Sequence, residues 1–364
     1  MKRYLLFVIV VFNLFLSCRN TKQGDLLEIP VDIDQINPLK LSEITEEISA
    51  IELELTNESM MSPAVNKVII SENEIFVANR TKILVFNKKG KFIRSIGSQG
   101  QGPGEYTHLH QFALDEKNKR LFVTSYNRKI ICYDFNGKFL KETFFYVDIF
   151  NDINYFNDKL YLLVNNTKSD SKGIYSNSSI YKFNESLQIV DSCTIRDIYF
   201  ESSDGYLFGH GAEDFILKGS KSIYLYYGDF FVRFNEGEKI FCDTLYRFEK
   251  NFLFPEFKLK FNNKSTNNLI DIYNIYRSTR YIFAAYYNNQ YRTFFYFCFD
   301  TKTHKGYNMQ DGYIDDIHQI EKPVKIRPFN LNTEMFYYLH TNMKPDDKEE
   351  PNPTLYIGKL KTKN

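Results

Sequence analysis

One pattern of strand and turn signals recurs along most of this chain. After a glycine-rich stretch, residues 111–143 contain four short runs of β-forming residues separated by turn signals. Such a series predicts one four-stranded antiparallel sheet. Aligned on the second run, the pattern occurs six times, around Phe76, Phe122, Tyr161, Tyr224, Phe283 and Tyr337. Repetition at this spacing predicts six similar sheets in one array.

The third run of the unit repeats together with its turn. Matches lie at residues 85–90, 133–137, 181–186, 232–237 and 298–303. Asn and Asp recur in these turns because they tolerate positive φ and can bond their own backbone. We therefore expect the third strand of the fourth sheet to lie near Val232.

The glycine-rich stretch Gly97–Glu105 has two physical interpretations. It could hold a phosphate if a helix followed, because the first amides of a helix bind anions. Strand patterning resumes after Tyr106 instead, and no Gly-Lys-Ser/Thr is present. The stretch is therefore interpreted as a tight crossing between two sheets, in which glycine supplies positive φ.

From Ile96 to Glu142 the sequence resembles an NHL-type propeller repeat, and more closely the six-bladed β-propeller lipoproteins of Bacteroidetes. The resemblance is carried by GSQGQGPGEY and by the strand runs that follow it, with Leu109 standing where NHL repeats usually have proline. It implies an all-β fold, a six-bladed β-propeller of four-stranded antiparallel blades. Because such propellers host both binding and catalysis, it implies architecture more firmly than activity.

The N-terminal residues have the features of an export signal. A Lys-Arg pair precedes an apolar run at residues 5–16, which is too short to span a bilayer. The Phe-Leu-Ser-Cys sequence at 15–18 resembles a bacterial lipobox, in which Cys18 becomes the lipidated N-terminus. The chain is then expected to be an outer-membrane lipoprotein on the periplasmic side or at the cell surface, and its partner there is the membrane itself.

These features divide the chain into three parts. We expect a signal peptide at 1–17, a lipidated tether at 18–47 with a short edge strand near 26–31, and the propeller at 48–364. The sixth repeat has no fourth strand before the chain ends. Because an open blade would leave a sheet edge unpaired, we expect the alternating Ile48–Leu55 to pair with Thr354–Leu360 and close the ring.

Charge excludes one class of partner. Lys and Arg nearly balance Asp and Glu, and the formal net charge is only +1. A nucleic-acid-binding domain usually carries a clustered excess of basic residues. No nucleic-acid partner is therefore expected.

The connections between strands are unequal in length. The long insertions lie at residues 165–179, 196–212, 246–268, 310–322 and 341–353. All link strand two to strand three or strand four to the next blade, and in an antiparallel blade both classes fall on the same face of the disc. We call this the loop face and the opposite one the turn face. Loops on a rigid scaffold commonly carry binding, so we expect the site on the loop face.

Six residues on the loop face are the candidate ligand-binding residues. Arg80 and Arg128 are expected to bind a carboxylate or phosphate through the bidentate guanidinium. Tyr126 is expected to stack on a ligand. The others are Glu105, Asn127 and Asp229.

Four cysteines besides Cys18 would allow two disulfides in an exported protein. The repeat places Cys132 and Cys298 in third strands, and Cys193 and Cys242 in outer strands, of different blades. Different blades hold these positions too far apart for a disulfide. We expect four buried free thiols.

Two function classes remain open. The first is a non-catalytic binding or scaffold module for a protein, peptide or glycan fragment, with no cofactor. The alternative is a propeller hydrolase or lyase with a divalent cation in the central channel, where hard-cation ligands converge. Weak metal candidates are His110, Asp152 and Asp271, with Arg327, Asp315, Asp316 and His318 as further polar groups.

Overall fold

Four-stranded antiparallel sheets are the repeating unit of the structure, a computed structural model. It describes residues 26–61, 65–170, 172–200, 205–209, 216–219, 222–233, 242–262, 270–331, 333–341 and 351–362. Six sheets form the blades of an all-β six-bladed β-propeller, which confirms the predicted fold class. The first strands of neighbouring blades contact one another around the axis, and the fourth strands lie at the rim.

The strands of the first three blades follow the chain order. Blade 1 contains Val65–Ile70, Glu74–Asn79, Ile83–Asn87 and Phe92–Ile96; blade 2 contains Leu109–Asp115, Arg120–Ser125, Lys129–Asp134 and Phe139–Phe144; blade 3 contains Ile149–Phe156, Lys159–Ser169, Ile174–Phe183 and Ile189–Phe200.

The other three blades include both strands from the N-terminal segment. Blade 4 contains Ile216–Lys218, Ile223–Tyr226, Thr244–Glu249, Phe252–Phe261 and Leu27–Val31; blade 5 contains Ile270–Arg277, Tyr281–Asn288, Thr293–Asp300 and Lys305–Gln310; blade 6 contains Arg327–Asn330, Met335–His340, Thr354–Leu360 and Thr45–Glu52. Three short pairs stand outside the blades: Ser98–Gln99 with Glu105–Tyr106, Gly205–Gly209 with Asp229–Arg233, and Tyr313–Asp315 with Ile320–Val324.

Apolar side chains fill the interfaces between blades rather than one central core. The six clusters of buried residues correspond to the six interfaces between neighbouring blades. Phe76, Phe112 and Tyr133, for example, pack in the interface between blades 1 and 2. Each blade therefore depends on its two neighbours for burial.

The ring closes by pairing with Thr354–Leu360, as the sequence predicts, but the closing strand is Thr45–Glu52 rather than Ile48–Leu55. Thr45–Glu52 pairs antiparallel with Thr354–Leu360, so the N-terminal segment supplies the outer strand of blade 6. Ile51 lies opposite Leu355, and Ile48 lies opposite Gly358. The edge of Thr354–Leu360 is thereby paired.

Residues 26–44 form a strap across the rim of three blades. The predicted edge strand is present: Leu27–Val31 pairs parallel with Phe252–Phe261 of blade 4. The strap then crosses blade 5, where the N–H of Asn37 donates to the carbonyl of Asn308 over 2.9 Å. It ends in the one-turn helix Leu41–Ile44, next to the outer strand of blade 6.

The strap differs from the tether expected for residues 18–47. Leu39, Leu41 and Ile44 are buried in the cluster between blades 5 and 6. Residues 26–47 are therefore part of the propeller. Residues 18–25 lie outside the described residues.

Blade 4 departs from the predicted strand assignment. The strand Asp229–Arg233, which contains Val232, pairs instead with Gly205–Gly209 outside the blade, and the third strand of the blade is Thr244–Glu249. The insertion expected at 246–268 is consequently mostly strand. The local pattern misleads here because the two candidate strands have equally good β patterning, and only the partner strand distinguishes them.

Two of the other insertions form hairpins rather than irregular loops. Residues 165–179 extend the second and third strands of blade 3, which pair from Leu160 with Phe183 to Ser169 with Ile174. Residues 310–322 include the short hairpin before blade 6. Much of the last insertion, at 342–350, lies outside the described residues.

The four described cysteines are free, as predicted. Cys132 and Cys298 are buried, and burial raises the pKa of both thiols. Cys193 and Cys242 are only half-buried. Cys242 also precedes the third strand of blade 4, not the outer strand expected for it.

The export signal at 1–17 and Cys18 lie outside the described residues. Within the described ranges, no helix has the length and apolar character needed to cross a membrane. The lipid anchor at Cys18 stays a prediction.

A leucine substitution tests whether the strap is part of the core. Leu41→Ala removes a fully buried side chain and should lower the free energy of unfolding by about 2–5 kcal/mol in urea titration. Leu27→Ala, in the same strap but 56% exposed, should change it by less than about 0.5 kcal/mol. A loss below about 0.5 kcal/mol for Leu41→Ala as well would show that the strap does not stabilise the ring.

Candidate ligand-binding site

Neighbouring loops touch on the loop face. The N–H of Leu109 donates to the carbonyl of Arg80 over 3.0 Å, and the N–H of Tyr126 donates to the carbonyl of His108 over 3.2 Å. These bonds join the strand two to three loops of blades 1 and 2 to the entry of blade 2. Arg80, Tyr126 and Arg128 are all exposed on this surface.

Three exposed aromatic side chains of blade 2 and its connection to blade 3 lie on the same surface as Arg128. Tyr146 is 75% exposed, Tyr126 67% and Phe144 52%. The guanidinium carbon of Arg128 lies 6.0 Å from the ring centroid of Tyr146, and the Phe144 and Tyr146 rings stack with centroids 6.3 Å apart. We call Tyr126, Arg128, Phe144 and Tyr146 the aromatic patch. Grouped exposed apolar side chains mark interaction sites more often than single ones do.

Sequence reasoning missed Phe144 and Tyr146. The available signal was the run of three aromatic residues at 144–146, directly after the last strand of blade 2. A strand alternates its faces, so three consecutive aromatic residues cannot all point to the core.

Glu105 binds its own loop. The N–H of Gly102 donates to Oε2 of Glu105 over 2.8 Å, and a Cβ at Gly100 would lie 2.1 Å from the same oxygen. Gly97 and Gly104 take positive φ of 72° and 70°. The stretch is therefore a crossing stabilised by its own carboxylate.

Lys129 stabilises this crossing through hydrogen bonds of its buried ammonium. Its ammonium donates to the carbonyl of Gly102 over 2.8 Å and pairs with Glu142 over 3.2 Å, while only 3% of the side chain is exposed. The same ammonium lies 5.6 Å from the ring centroid of Phe144. The crossing and the aromatic patch are thus connected.

The two other candidates are Asn127, in a loop of blade 2, and Asp229, at the start of a strand outside the blades. Asn127 is half-buried, and within the described residues its Oδ1 has no hydrogen-bond partner. Asp229 begins the strand that pairs with Gly205–Gly209. The side chain of Asp229 lies outside the described residues.

A buried ion pair occupies the axis. Lys67, from the first strand of blade 1, lies 3.2 Å from Oδ1 of Asp152, from the first strand of blade 3. Oδ2 of Asp152 accepts the N–H of Ile216 of blade 4 over 2.9 Å. Asp152 is fully buried, and its bonds to Lys67 and Ile216 link three blades. Sequence reasoning named Asp152 but missed Lys67, because a lysine within a strand pattern carries no signal of its partner.

His110 lies on the loop-face side of this pair. Its ring packs edge-on against Tyr126 with centroids 5.1 Å apart. Within the described residues, its buried Nδ1 has no hydrogen-bond partner. Burial, together with the positive charge of Lys67, lowers the pKa of His110 to about 4. The imidazole is therefore neutral at physiological pH.

The structure does not bring the weak metal candidates together. Asp271 accepts a hydrogen bond from Nδ2 of Asn289 over 2.9 Å, and Asp152 is paired as described. Asp315 binds His318 over 3.2 Å and accepts the hydroxyl of Tyr338. Asp316 accepts the hydroxyl of Ser42 in the strap over 2.6 Å. Among the described residues, no group of three or more His, Cys, Asp or Glu side chains is placed to hold a metal.

A cavity of about 240 Å³ occupies the axis on the turn-face side. Lys67 and Phe112 line it, together with Glu116 and Lys218 at the turn-face ends of their blades. The cavity at the axis shares no lining residue with the aromatic patch.

The pH dependence of stability tests the neutral His110. The unfolded chain takes up a proton near the ordinary pKa of 6.5, whereas the folded chain does so only near 4. Stability should therefore fall as the pH drops from about 6.5 towards 4. In urea titrations across this window, His110→Gln should lose less stability than the wild type. His304→Gln, which changes an exposed histidine, should decline like the wild type. An unaltered decline in His110→Gln would contradict the assignment.

Comparison with solved structures supports the fold. A crystal structure of a protein from Bacteroides fragilis NCTC 9343, described as exported, matches with a TM-score of 0.64 and 17% identity. The match covers 92% of this chain and 100% of that one. Weaker likenesses include the hydrazine synthase of Kuenenia stuttgartiensis, at 10% identity and a TM-score of 0.44, covering 78% of this chain and 76% of that one.

No curated protein matches this chain. The family model described as Domain of unknown function (DUF4934) matches residues 26–363. The matched region begins at the strap and takes in all six blades. The chain therefore belongs to the DUF4934 family.

Proposed function

We propose that the chain is an exported, lipid-anchored propeller that acts as a non-catalytic binding or scaffold module at the cell envelope. Its ligand would be a protein, a peptide or a glycan fragment held on the loop face. Binding of this kind needs no cofactor. The observation that carries the proposal is the aromatic patch, where Arg128 lies against the exposed ring of Tyr146, which stacks on the exposed ring of Phe144.

The chemistry of the patch suits recognition. Tyrosine and phenylalanine offer apolar area with few rotatable bonds, so ordering them on binding loses little entropy. The guanidinium of Arg128 can bond a carboxylate or phosphate in bidentate fashion. Arg80 adds a second exposed guanidinium on the same face.

The scaffold limits movement of the patch. The carbonyl of Arg128 accepts the N–H of Phe145 over 2.8 Å, which ties the loop of blade 2 to the connection towards blade 3. A binding surface that is already ordered loses less entropy on association. Export is supported by the Bacteroides fragilis neighbour, which is described as an exported protein.

Photo-crosslinking in intact cells tests which face binds. A benzophenone amino acid at Tyr126, which is 67% exposed on the loop face, should capture a discrete adduct. Phe252 is the matched control, because it is 66% exposed but begins the fourth strand of blade 4 at the turn face. A greater yield at Phe252 would contradict the loop-face proposal, as would equal yields. Loss of the Tyr126 adduct in an Arg128→Ala background would assign the patch itself.

Membrane fractionation tests the anchor. Cys18→Ser should release the protein from the membrane fraction, because it removes the thiol that would carry the acyl chains. Ser17→Ala keeps a small residue before the cysteine and should leave the protein in the membrane. Unchanged partitioning of Cys18→Ser would contradict lipidation at this residue.

A further inference from the structure

A second cavity lies between blades 5 and 6, away from the aromatic patch. Its volume is about 290 Å³, close to the lower end of the roughly 300–1,000 Å³ usual for small-molecule sites. Aromatic walls come from Tyr273, Phe294 and Tyr296 of blade 5. Lys325 and Arg327, at the entry to blade 6, lie on the opposite side. We call this the inter-blade cavity.

Lys325 gives the inter-blade cavity a positive charge. The ammonium of Lys325 lies 5.7 Å from the ring centroid of Phe294 and 5.8 Å from that of Tyr296. The guanidinium of Arg327 also lines the cavity and lies 6.0 Å from the ring centroid of Tyr337. Within the described part of the chain, no carboxylate lines the cavity. The cavity therefore favours an anion.

A buried amide in the wall is incompletely bonded. Asn274 is only 5% exposed, and within the described residues its Oδ1 has no hydrogen-bond partner, although its Nδ2 donates to the hydroxyl of Tyr276. An unsatisfied buried polar group costs about 1–3 kcal/mol. Turning the amide over only exchanges which of its two atoms lacks a partner. A ligand hydroxyl can donate or accept, so it satisfies the amide in either orientation.

We propose that the inter-blade cavity binds one acidic sugar ring, a hexuronate. The carboxylate would bond the ammonium of Lys325, a ring hydroxyl would bond Asn274, and the apolar C–H face would pack on the aromatic walls. Inorganic phosphate has no apolar face, and a simple aromatic acid has no hydroxyl for the amide. The inference goes beyond the proposed function, since it assigns a ligand class to a cavity separate from the aromatic patch.

Isothermal titration calorimetry of the purified chain with D-galacturonate and D-glucuronate tests the ligand class. D-galactose and D-glucose keep the ring and hydroxyls but lack the carboxylate, and they should bind at least roughly tenfold more weakly, since hydrogen bonds to charged groups contribute strongly. Added salt should weaken only the acidic sugars. N-acetylphenylalanine, a carboxylate with a peptide group, should bind more weakly than the better hexuronate.

Variants assign the binding to this cavity. Lys325→Ala should weaken hexuronate binding roughly tenfold, whereas Lys322→Ala, an exposed lysine of the adjacent hairpin, should leave it unchanged. Asn274→Leu should weaken binding while leaving the thermal midpoint unchanged or higher, because it removes the unpaired amide atom. Arg128→Ala should not alter it, so failure here is distinguishable from failure of the proposed function.

Several outcomes would overturn the assignment. The assignment fails if neither hexuronate binds at millimolar concentration. It also fails if acidic and neutral sugars bind equally well. Tighter binding of N-acetylphenylalanine would assign a peptide carboxylate instead. Equal effects of Lys325→Ala and Lys322→Ala would place the ligand elsewhere.

Discussion

Pairing of Thr45–Glu52 with Thr354–Leu360 is the interaction on which the ring depends. Each blade buries its apolar faces only against its two neighbours, so an unclosed ring would expose two sheet faces and leave a strand edge unpaired. The strap strengthens the closure, because Leu41 and Ile44 extend the cluster between blades 5 and 6. Blades 4, 5 and 6 are thereby joined by one segment that runs across their rims, in addition to their packing on one another.

The sequence predicts the ring well because its signals are local. Strand periodicity and turn residues identify six units, and the missing fourth strand of the last unit identifies Ile48–Leu55 as the closing segment. Blade 4 shows where local signals fail, since the strand containing Val232 pairs with the inserted strand Gly205–Gly209 outside the blade. The sequence does not reveal the strap, because the burial of Leu39 and Leu41 depends on partners in blades 5 and 6 that lie far away in sequence.

The candidate site is predicted less completely, for a related reason. Unequal loop lengths indicate a loop face, and the structure does expose Arg80, Tyr126 and Arg128 there. The role of a charged side chain, however, depends on what lies opposite it. Glu105 folds onto its own loop, and Asp152 meets a lysine from another blade. The inter-blade cavity combines residues from two blades, so no contiguous motif could reveal it.

Charge pairing at the axis is a physical reason for the proposed binding sites to lie off the axis. Asp152 is bound by Lys67 and by the backbone of blade 4, so its carboxylate is already engaged in joining blades. A partner removed from such a buried pair leaves an uncompensated charge, which strongly destabilises a fold. A ligand that competed for Asp152 would have to replace that pair. The patch on blade 2 and the cavity between blades 5 and 6 do not involve this pair. An anion bound there by Arg128 or Lys325 would leave the contacts between the inner strands unchanged.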